Sequence, residues 1–195
     1  MILRFIKSRL ARFRDDTRGL AALEAIILLP TLAMVGVAGV VFFEGYRLQN
    51  DSLRATYAVA DAIAREKSEI TNQYLNSMHD MLDHLVPDDG GIAMRVTIVC
   101  YSERRKKYRV AWSAKKGHMS GLKKHTHHTI KREADRLPDM PYGDQVIVVE
   151  TFAKHRPSLS VGIPARDVSN FVVVRPRFVN QVKFANKPTW ICKGG

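Results

Sequence analysis

The longest hydrophobic stretch of the chain lies near its N-terminus, at residues 20–43. Within these 24 residues the only ionisable side chain is Glu24 and the only other polar one is Thr31. At about 1.5 Å per residue a helix of this length spans about 36 Å, enough to cross a hydrocarbon core of about 30 Å with some tilt. Pro30 lies inside the run, and helices in lipid tolerate proline better than helices in water. The pattern predicts a transmembrane helix.

The hydrophobic spacing then changes to that of an amphipathic helix over residues 44–86. Apolar and aromatic side chains recur there at steps of three and four, at Ile70, Tyr74, Met78, Met81 and Leu85, which places them on one stripe. We expect one long helix that continues from the membrane segment, although Asn50-Asp51-Ser52 or Ser68 could cap a second segment. The sequence Pro-Asp-Asp-Gly-Gly at 87–91 ends the helix.

Alternation with a period of two predicts strands in residues 87–195. Apolar side chains from Ile92 to Cys100 alternate with more polar ones, which predicts a strand with one apolar face that includes Cys100. A second alternating run at 108–112 predicts its hairpin partner. Residues 146–149 are apolar on both faces, as in a central strand, and 171–174 form a similar run.

A short helix is predicted between these strands, over residues 126–137. Pro176 lacks an amide donor, which indicates an edge or the end of a strand. The elements together predict an α+β fold, in which a long N-terminal transmembrane helix continues into an exported head with a small, mostly antiparallel sheet. The expected organisation is a basic leader at 1–19, a membrane helix at 20–43, a helical continuation at 44–86 and the head at 87–195.

The distribution of charge orients this arrangement. Residues 1–19 carry six Lys and Arg against two Asp, a net charge of 6 − 2 = +4. A basic segment beside a membrane helix favours a cytoplasmic N-terminus, so the head lies outside the cytoplasmic membrane. The formal net charge of the chain is +12, so the remainder keeps +8. A basic head favours acidic partners such as DNA, anionic polysaccharide or lipid headgroups, or is a solvated surface without a specific partner.

Both cysteines, Cys100 and Cys192, lie on the exported side, where disulfides are permitted. We expect one bridge between them, the alternative being two free thiols. No CxxC pair and no GxSxG, P-loop or GxGxxG motif occurs. We therefore assign no catalytic residues, no metal site and no cofactor, and expect a protein that is not an enzyme.

Two weaker patterns have structural alternatives. His125 and His128 in His-x-His-His would share a helix face and are candidate metal ligands, but a solvated polar segment accounts for them equally simply. Basic runs flank Tyr108 and Trp112, and such interleaving occurs in proteins that bind single-stranded nucleic acid. The alternative is a solvated hairpin whose aromatic side chains lie in the core.

The junction between leader and apolar run resembles a known family. Gly19 is followed by Glu24 as the fifth residue after it, as at the processing site of type IV prepilins. Residues 13–30 resemble the TadE/TadF pseudopilins of tight-adherence (Flp) pilus machines, and Gly-Asp-Gln-Val-Ile-Val-Val-Glu at 143–150 resembles their sheet strand. Major pilins of this class often carry a tyrosine after the glutamate, where this chain has Ala25. That departure fits a minor pseudopilin.

The resemblance implies a mechanism for the N-terminal segment. A prepilin peptidase would cut after Gly19, and the freed amine of Leu20 would belong to the mature chain. Glu24 would pair with the N-terminal amine of a neighbouring subunit during assembly. The implied partners are the peptidase, other pilins, the assembly platform and the bacterial cytoplasmic membrane, with the head in the periplasm or in a pilus. The implied roles are pilus biogenesis, surface adhesion and biofilm formation.

Several alternatives remain open for the same segment. Glu24 lies about one turn inside the apolar run and could extend to the headgroups without any role in assembly. The run could be a secretory signal cut near residues 37–39, or an uncleaved anchor for another exported domain. In the last case the function would be that of a membrane-anchored basic module that binds DNA or acidic surface polymers.

Overall fold

The computed structural model describes residues 18–86, 91–102, 107–155 and 166–186, together with four isolated positions, Lys7, Arg9, Phe13 and Arg14. Its elements in chain order are α1 (Arg18–Arg65), α2 (Asn72–Leu85), β1 (Ala93–Ser102), β2 (Lys107–Lys116), α3 (His127–Ile130), a 3-10 helix (Lys131–Arg136), β3 (Gln145–His155) and β4 (Arg166–Val174). This is the predicted α+β layout. The chain divides into two compact units, Met1–Phe43 and Glu44–Gly195.

The first unit contains the apolar part of α1. Among the described residues α1 is the one helix long and apolar enough to cross a membrane, and its most apolar window of 18 residues has a mean hydropathy of 2.5. This assignment rests on length and composition, which a signal sequence shares. The helix continues through Pro30, and the Thr31 hydroxyl donates to the Ile27 carbonyl at 3.0 Å. Its large apolar side chains, from Leu23 to Phe43, are mostly exposed.

The second unit begins with the outer part of α1, which is amphipathic. Its buried positions recur at steps of one, three and four, at Leu48, Ser52, Ala55, Thr56, Val59, Ala60, Ile63 and Ala64, as expected for one buried helix face. These side chains join α2 and one face of the sheet in the main hydrophobic core. Small residues dominate this face, which allows the helix backbone to approach the core closely.

The expectation of a single helix to about Leu85 is wrong, because α1 ends at Arg65 and α2 begins at Asn72. Between them Ile70 pairs with a distant segment: its N–H donates to the Lys183 carbonyl and its carbonyl accepts from the Ala185 N–H, both at 2.9 Å. Thr71 then caps α2, accepting from the Tyr74 N–H at 3.0 Å. Neither suggested cap residue is the one used.

The buried stripe of α2 also differs from the prediction. Leu75 and Leu82 are its fully buried residues, while Tyr74, Met78 and Met81 are partly buried against the core. Leu85, predicted to lie on the stripe, is 48% exposed. The stripe is therefore centred one position away from the series that the sequence suggested.

The four strands form an antiparallel sheet in the order β2-β1-β3-β4. β3 is a central strand, as predicted, with Ile147 and Val149 in the main core and Val146 and Val148 in a second core on the opposite face. β4 is an edge strand that ends at Val174, just before Pro176. The predicted hairpin forms, with a register shift between Ile98 and Val99.

The face of β1 opposite its apolar one, which the sequence shows as more polar, is buried as well. This second face is covered by the segment that contains α3 and the 3-10 helix, and Ile130, Leu137 and Met140 of this segment are buried in the second core. The predicted short helix at 126–137 is confirmed as α3 followed by the 3-10 helix. The sheet is thus the middle layer of the head.

Three predicted features lie outside the described residues: most of the leader, most of the turn at 87–91 and the C-terminal Trp-Ile-Cys at 190–192.

Candidate functional site

The predicted processing and assembly residues, Gly19, Leu20 and Glu24, all lie on α1 near its first described residue. Gly19 is exposed, and a Cβ built on it would meet nothing within 4 Å. Glu24 is also exposed, and no cation of the described residues forms an ion pair with it. Packing within one copy of the chain therefore requires neither a glycine at 19 nor a carboxylate at 24.

Cys100 is buried on β1 and takes part in a disulfide. It follows Ile98 in the alternation that faces the main core, as the sequence predicted. The predicted partner, Cys192, lies outside the described residues, so the pairing itself stays a prediction.

The structure brings together three charged or titratable side chains that the sequence did not single out as a site. Arg95 of β1 lies opposite Glu150 of β3 and donates from Nε and Nη2 to the two carboxylate oxygens, both at 2.6 Å. His125, from the covering segment, contacts Glu150 Oε2 through Nε2 at 2.9 Å. The three side chains are 14%, 6% and 5% exposed, respectively. We call Arg95, Glu150 and His125 the ionic cluster.

Further hydrogen bonds tie the ionic cluster to the segment that covers the sheet. Arg95 Nη1 donates to the Lys123 carbonyl at 2.7 Å, and the His125 N–H donates to Ser113 Oγ at 3.0 Å. His125 Nδ1 lies 3.0 Å from Thr129 Oγ1. Among the described residues no buried side-chain nitrogen or oxygen lacks a partner. The ionic cluster therefore fixes the covering segment to β1, β2 and β3.

The electrostatics of Glu150 follow from these contacts. Burial by itself would raise the pKa of the carboxyl, because it disfavours the charged form, but hydrogen bonds from His125 and Arg95 outweigh it and hold the pKa below its usual value. Glu150 is thus an ionised, doubly paired carboxylate whose two oxygens are both occupied. The arrangement serves to hold chain segments together, since removing one partner would leave an uncompensated buried charge.

A second buried polar cluster joins the outer part of α1 to the other face of the sheet. Thr56 and Thr151 are linked through their hydroxyls at 2.6 Å, and Asn170 Nδ2 donates to Ser52 Oγ at 2.6 Å and to Thr151 Oγ1 at 3.1 Å. All four residues are buried. Directional bonds in an otherwise apolar contact define one register of the helix on the sheet.

The histidines of the His-x-His-His run have separate surroundings. His125 is buried in the ionic cluster, so the expectation of a wholly solvated polar segment is wrong there. His127 Nδ1 accepts from the Val110 N–H at 3.1 Å, and His128 is exposed. Within the described residues no three His, Cys, Asp or Glu side chains are grouped so as to hold a metal ion.

The aromatic side chains of β2 are occupied by the fold. Trp112 is buried, its indole Nε1 donates to the Val182 carbonyl at 2.8 Å, and its ring packs edge-on against Phe184. The Tyr108 hydroxyl donates to the Pro138 carbonyl at 3.2 Å, and its ring packs edge-on against Tyr101. Trp112 is therefore not a platform on which a nucleic-acid base could stack, while Tyr108 is half-buried with its hydroxyl bonded.

The sequence contained a usable indication of the ionic cluster. Glu150 directly follows residues 146–149, which are apolar on both faces of the strand. A carboxylate in such a strand is expected to be buried, and a buried carboxylate needs a cation as its partner. Arg95 is the one cation on β1. The contribution of His125 had no such indication, because His125 precedes the predicted helix and no periodic pattern places it against the sheet.

No protein-family model, no curated protein and no solved structure matches this chain.

Proposed function

We propose that this chain is a pilin-like minor subunit (pseudopilin) of a tight-adherence pilus machine, of the TadE/TadF type. A prepilin peptidase cuts after Gly19, α1 anchors the subunit in the bacterial cytoplasmic membrane with its N-terminus in the cytoplasm, and the exported head takes part in pilus biogenesis, adhesion or biofilm formation. The role is one of assembly and not of catalysis.

The observation that carries this proposal is the isolated carboxylate of Glu24, five residues after Gly19 in a helix of membrane length. A carboxylate within hydrocarbon costs a few kcal/mol even on lenient insertion scales, at about 2.5–3.5 kcal/mol for an aspartate at the centre of a helix. Within the described residues no cation offsets that cost. A partner from another chain, such as the freed amine of Leu20 in a neighbouring subunit, would do so.

The rest of α1 supports the same role. Lipid is as apolar as the side chains between Leu23 and Phe43, so apolar contacts alone would let neighbouring helices slide past one another. An ion pair at one level of the bundle fixes the axial register.

The test is the N-terminal sequence and intact mass of the protein recovered from membranes, with and without a prepilin peptidase. We expect an N-terminus at Leu20 only when the peptidase is present. Gly19→Leu should abolish cleavage, while Gly36→Leu should leave it unchanged. The two variants form a matched pair, because a Cβ at either position meets nothing within 4 Å and neither glycine is required by packing.

Three results would contradict the proposal. An intact Met1 in both samples would indicate an uncleaved anchor, and an N-terminus near Gly39 would indicate a secretory signal. Cleavage that persists in Gly19→Leu would show that the peptidase does not recognise this junction.

A further inference from the structure

Most of the net charge of this chain is concentrated in one stretch without acidic residues. Between Glu103 and Glu133 the sequence holds 11 Lys and Arg in 29 residues and no Asp or Glu. The formal charge of the stretch is +11, against +12 for the whole chain, so all other residues together contribute 12 − 11 = +1. A basic surface spread evenly over the head would not show this division.

The described part of this stretch, residues 107–132, forms β2 and the segment that follows it. β2 is an edge strand, and the segment after it folds back beside it. Three contacts hold the two together: Lys115 Nζ donates to the Leu122 carbonyl at 2.8 Å, the Val110 N–H donates to His127 Nδ1 at 3.1 Å, and the Tyr108 hydroxyl bonds the Pro138 carbonyl. We call the described residues 107–132 the basic edge.

Six cations of the basic edge have no ion pair within the described residues: Lys107, Lys116, Lys123, Lys124, Lys131 and Arg132. The arginines elsewhere in the second unit are largely paired. Arg65 and Arg177 both contact Asp61 at 2.8 Å, and Arg47 pairs with Asp51 at 3.5 Å. The described arginines outside the basic edge are thus mostly neutralised by carboxylates, whereas six cations of the basic edge are not.

The ionic cluster keeps the basic edge in one shape. Arg95 bonds the Lys123 carbonyl, and His125, which follows Lys124, bonds Glu150. These bonds anchor the backbone that carries Lys123 and Lys124 while leaving both ammonium groups exposed. An array of cations held on a rigid backbone loses less conformational entropy on binding than a flexible tail does.

The side chains between these cations indicate which class of ligand the basic edge can bind. The exposed large apolar residues of the second unit, which are Tyr46, Leu53, Tyr57, Leu85, Tyr142 and Phe178 among the described positions, all lie outside 107–132. Membrane-surface segments combine cations with exposed apolar side chains. Single-stranded nucleic acid is bound by aromatic rings on which successive bases stack, whereas here Trp112 is buried and Tyr108 is half-buried. A rod-like polyanion bound through charge alone fits these restrictions.

The charge density of a duplex favours nucleic acid as that polyanion. Four of the eight Lys and Arg of the basic edge lie on β2, a strand of ten residues about 33 Å long, and the other four lie in the segment that follows it. A rigid group of cations of this size can contact several phosphates of a duplex, which carries one negative charge per about 1.7 Å of its axis. We propose that the basic edge binds double-stranded nucleic acid through its phosphates, without reading the bases.

The experiment measures binding of a short fluorescent DNA duplex to the full chain in nanodiscs of zwitterionic lipid, over a range of salt concentrations. We expect the affinity to fall steeply as salt rises, because each phosphate contact contributes about 0.9 to the slope of log affinity against log salt. The affinity should not depend on the base sequence. The assembly role is independent of this surface, so cleavage after Gly19 is measured separately and its failure would not affect the result.

A matched pair of variants tests whether binding depends on the cations of the basic edge or only on the net charge of the chain. Replacing Lys123, Lys124, Lys131 and Arg132 with Gln should lower the salt slope by about 3 to 4 and weaken binding at least tenfold. Replacing Arg54, Lys67, Arg175 and Lys183 with Gln lowers the net charge by the same four units, from +12 to +8. These control cations are exposed and lie outside the basic edge, so binding should change less than twofold.

Three outcomes would overturn the proposal. The first is the absence of salt-sensitive binding by the unaltered chain. The second is an equal loss of binding in the two variants, which would show a response to net charge alone. The third is preferential displacement of the duplex, at equal charge, by the corresponding single strand, by a sulfated polysaccharide or by anionic vesicles, each of which would identify a different class of ligand. Near-normal circular dichroism of the variants would show that they fold.

Discussion

Glu24 and Glu150 are two carboxylates in apolar sequence surroundings, and the described residues provide partners for only one of them. Glu150 receives two bonds from Arg95 and one contact from His125. Glu24 lies on an exposed part of α1 with no ion pair. The charge of Glu150 is compensated within the fold, so we expect this residue to contribute to stability. We expect Glu24 instead to pair with a group of another chain.

Replacing Glu150 with Gln should destabilise the head. The amide cannot accept two charged donors, so Arg95 would be buried without a compensating charge, and breaking a buried ion pair in this way costs about 3–5 kcal/mol. Chemical denaturation followed by the fluorescence of Trp112 would measure the loss. Glu69→Gln, which removes an exposed carboxylate, is the control and should change stability by less than about 0.5 kcal/mol.

The contribution of Glu150 should also depend on pH in a defined direction. Its folded pKa is lowered, so its stabilisation is fully present above the unfolded pKa of a glutamate and is lost as pH falls from there through the lower folded pKa. The stability difference between the unaltered chain and Glu150→Gln should therefore shrink on acidification through that window. A difference that stays constant down to the folded pKa would contradict the assignment.

Replacing Glu24 with Gln should separate processing from assembly. The amide keeps the size of the side chain but cannot form an ion pair with a free amine, so we expect normal cleavage after Gly19 and reduced incorporation into sheared filaments. Glu24→Asp retains the charge and should recover part of the incorporation. Immunoblots of membrane and filament fractions would measure both steps, and full incorporation of Glu24→Gln would remove the proposed role of the carboxylate.

At the scale of elements, local periodicity predicts the strands whose pattern lies within a few consecutive residues. The alternation from Ile92 to Cys100 and the apolar run at 146–149 give β1 and β3. The break after Arg65 was not predictable in this way, because no Gly or Pro marks it. It is stabilised by the pairing of Ile70 with Lys183 and Ala185, more than 100 residues away. The burial of the second face of β1 was also not predictable, because the residues that cover it come from a later segment of the chain.

The turn after β2 illustrates a close approach between elements. Gly117 has a φ of +80°, and a Cβ there would overlap the Ile92 carbonyl oxygen and the His79 ring, which are hydrogen-bonded at 2.8 Å. Gly121 has nearly the same φ, +81°, in open space. Both Gly→Ala changes incur the cost of a left-handed residue, about 1–2 kcal/mol. Only Gly117→Ala adds a steric overlap, so it should destabilise by about 1–3 kcal/mol more.

Thermal unfolding of the two alanine variants would measure this difference directly. Equal melting temperatures would show that the packing of α2 against the turn has no energetic consequence.

The contact of α1 with the sheet should depend on its buried hydrogen bonds. Asn170→Leu would leave the Ser52 hydroxyl without its donor, and an unsatisfied buried polar group costs about 1–3 kcal/mol. Asn180→Leu, at an exposed position, is the matched control. Hydrogen exchange along residues 48–64 should increase in Asn170→Leu and not in the control. Unchanged exchange in both would mean that apolar packing alone fixes the helix.

At the scale of the whole molecule, the head is a three-layer arrangement in which different forces act on the two faces of the sheet. Helices α1 and α2 cover one face through the larger hydrophobic core. On the other face, a smaller core and the ionic cluster hold the covering segment. The second face therefore relies more on charge, and it is also the face from which part of the basic edge is built.

The predicted disulfide would connect this head to the C-terminal residues of the chain. A bridge between Cys100 and Cys192 closes a loop of about 93 residues, for which the chain-entropy model gives about 4–5 kcal/mol of stabilisation. If the two cysteines pair within one chain, Cys100→Ala and Cys192→Ala each remove the same bridge. The double variant should then be no less stable than Cys100→Ala, because the effects of two residues in one bond are not additive.

Denaturation of the three variants with and without reductant would test this pairing, together with mass spectrometry of non-reduced peptides. Reductant should destabilise the unaltered chain and have no effect on any variant. Cys100 is buried, so its replacement also removes core contacts, and Cys192→Ala is the better measure of the bridge itself. A Cys192→Ala variant as stable as the oxidised chain would contradict the pairing. A peptide that joins two copies of Cys100 would instead indicate a bridge between subunits.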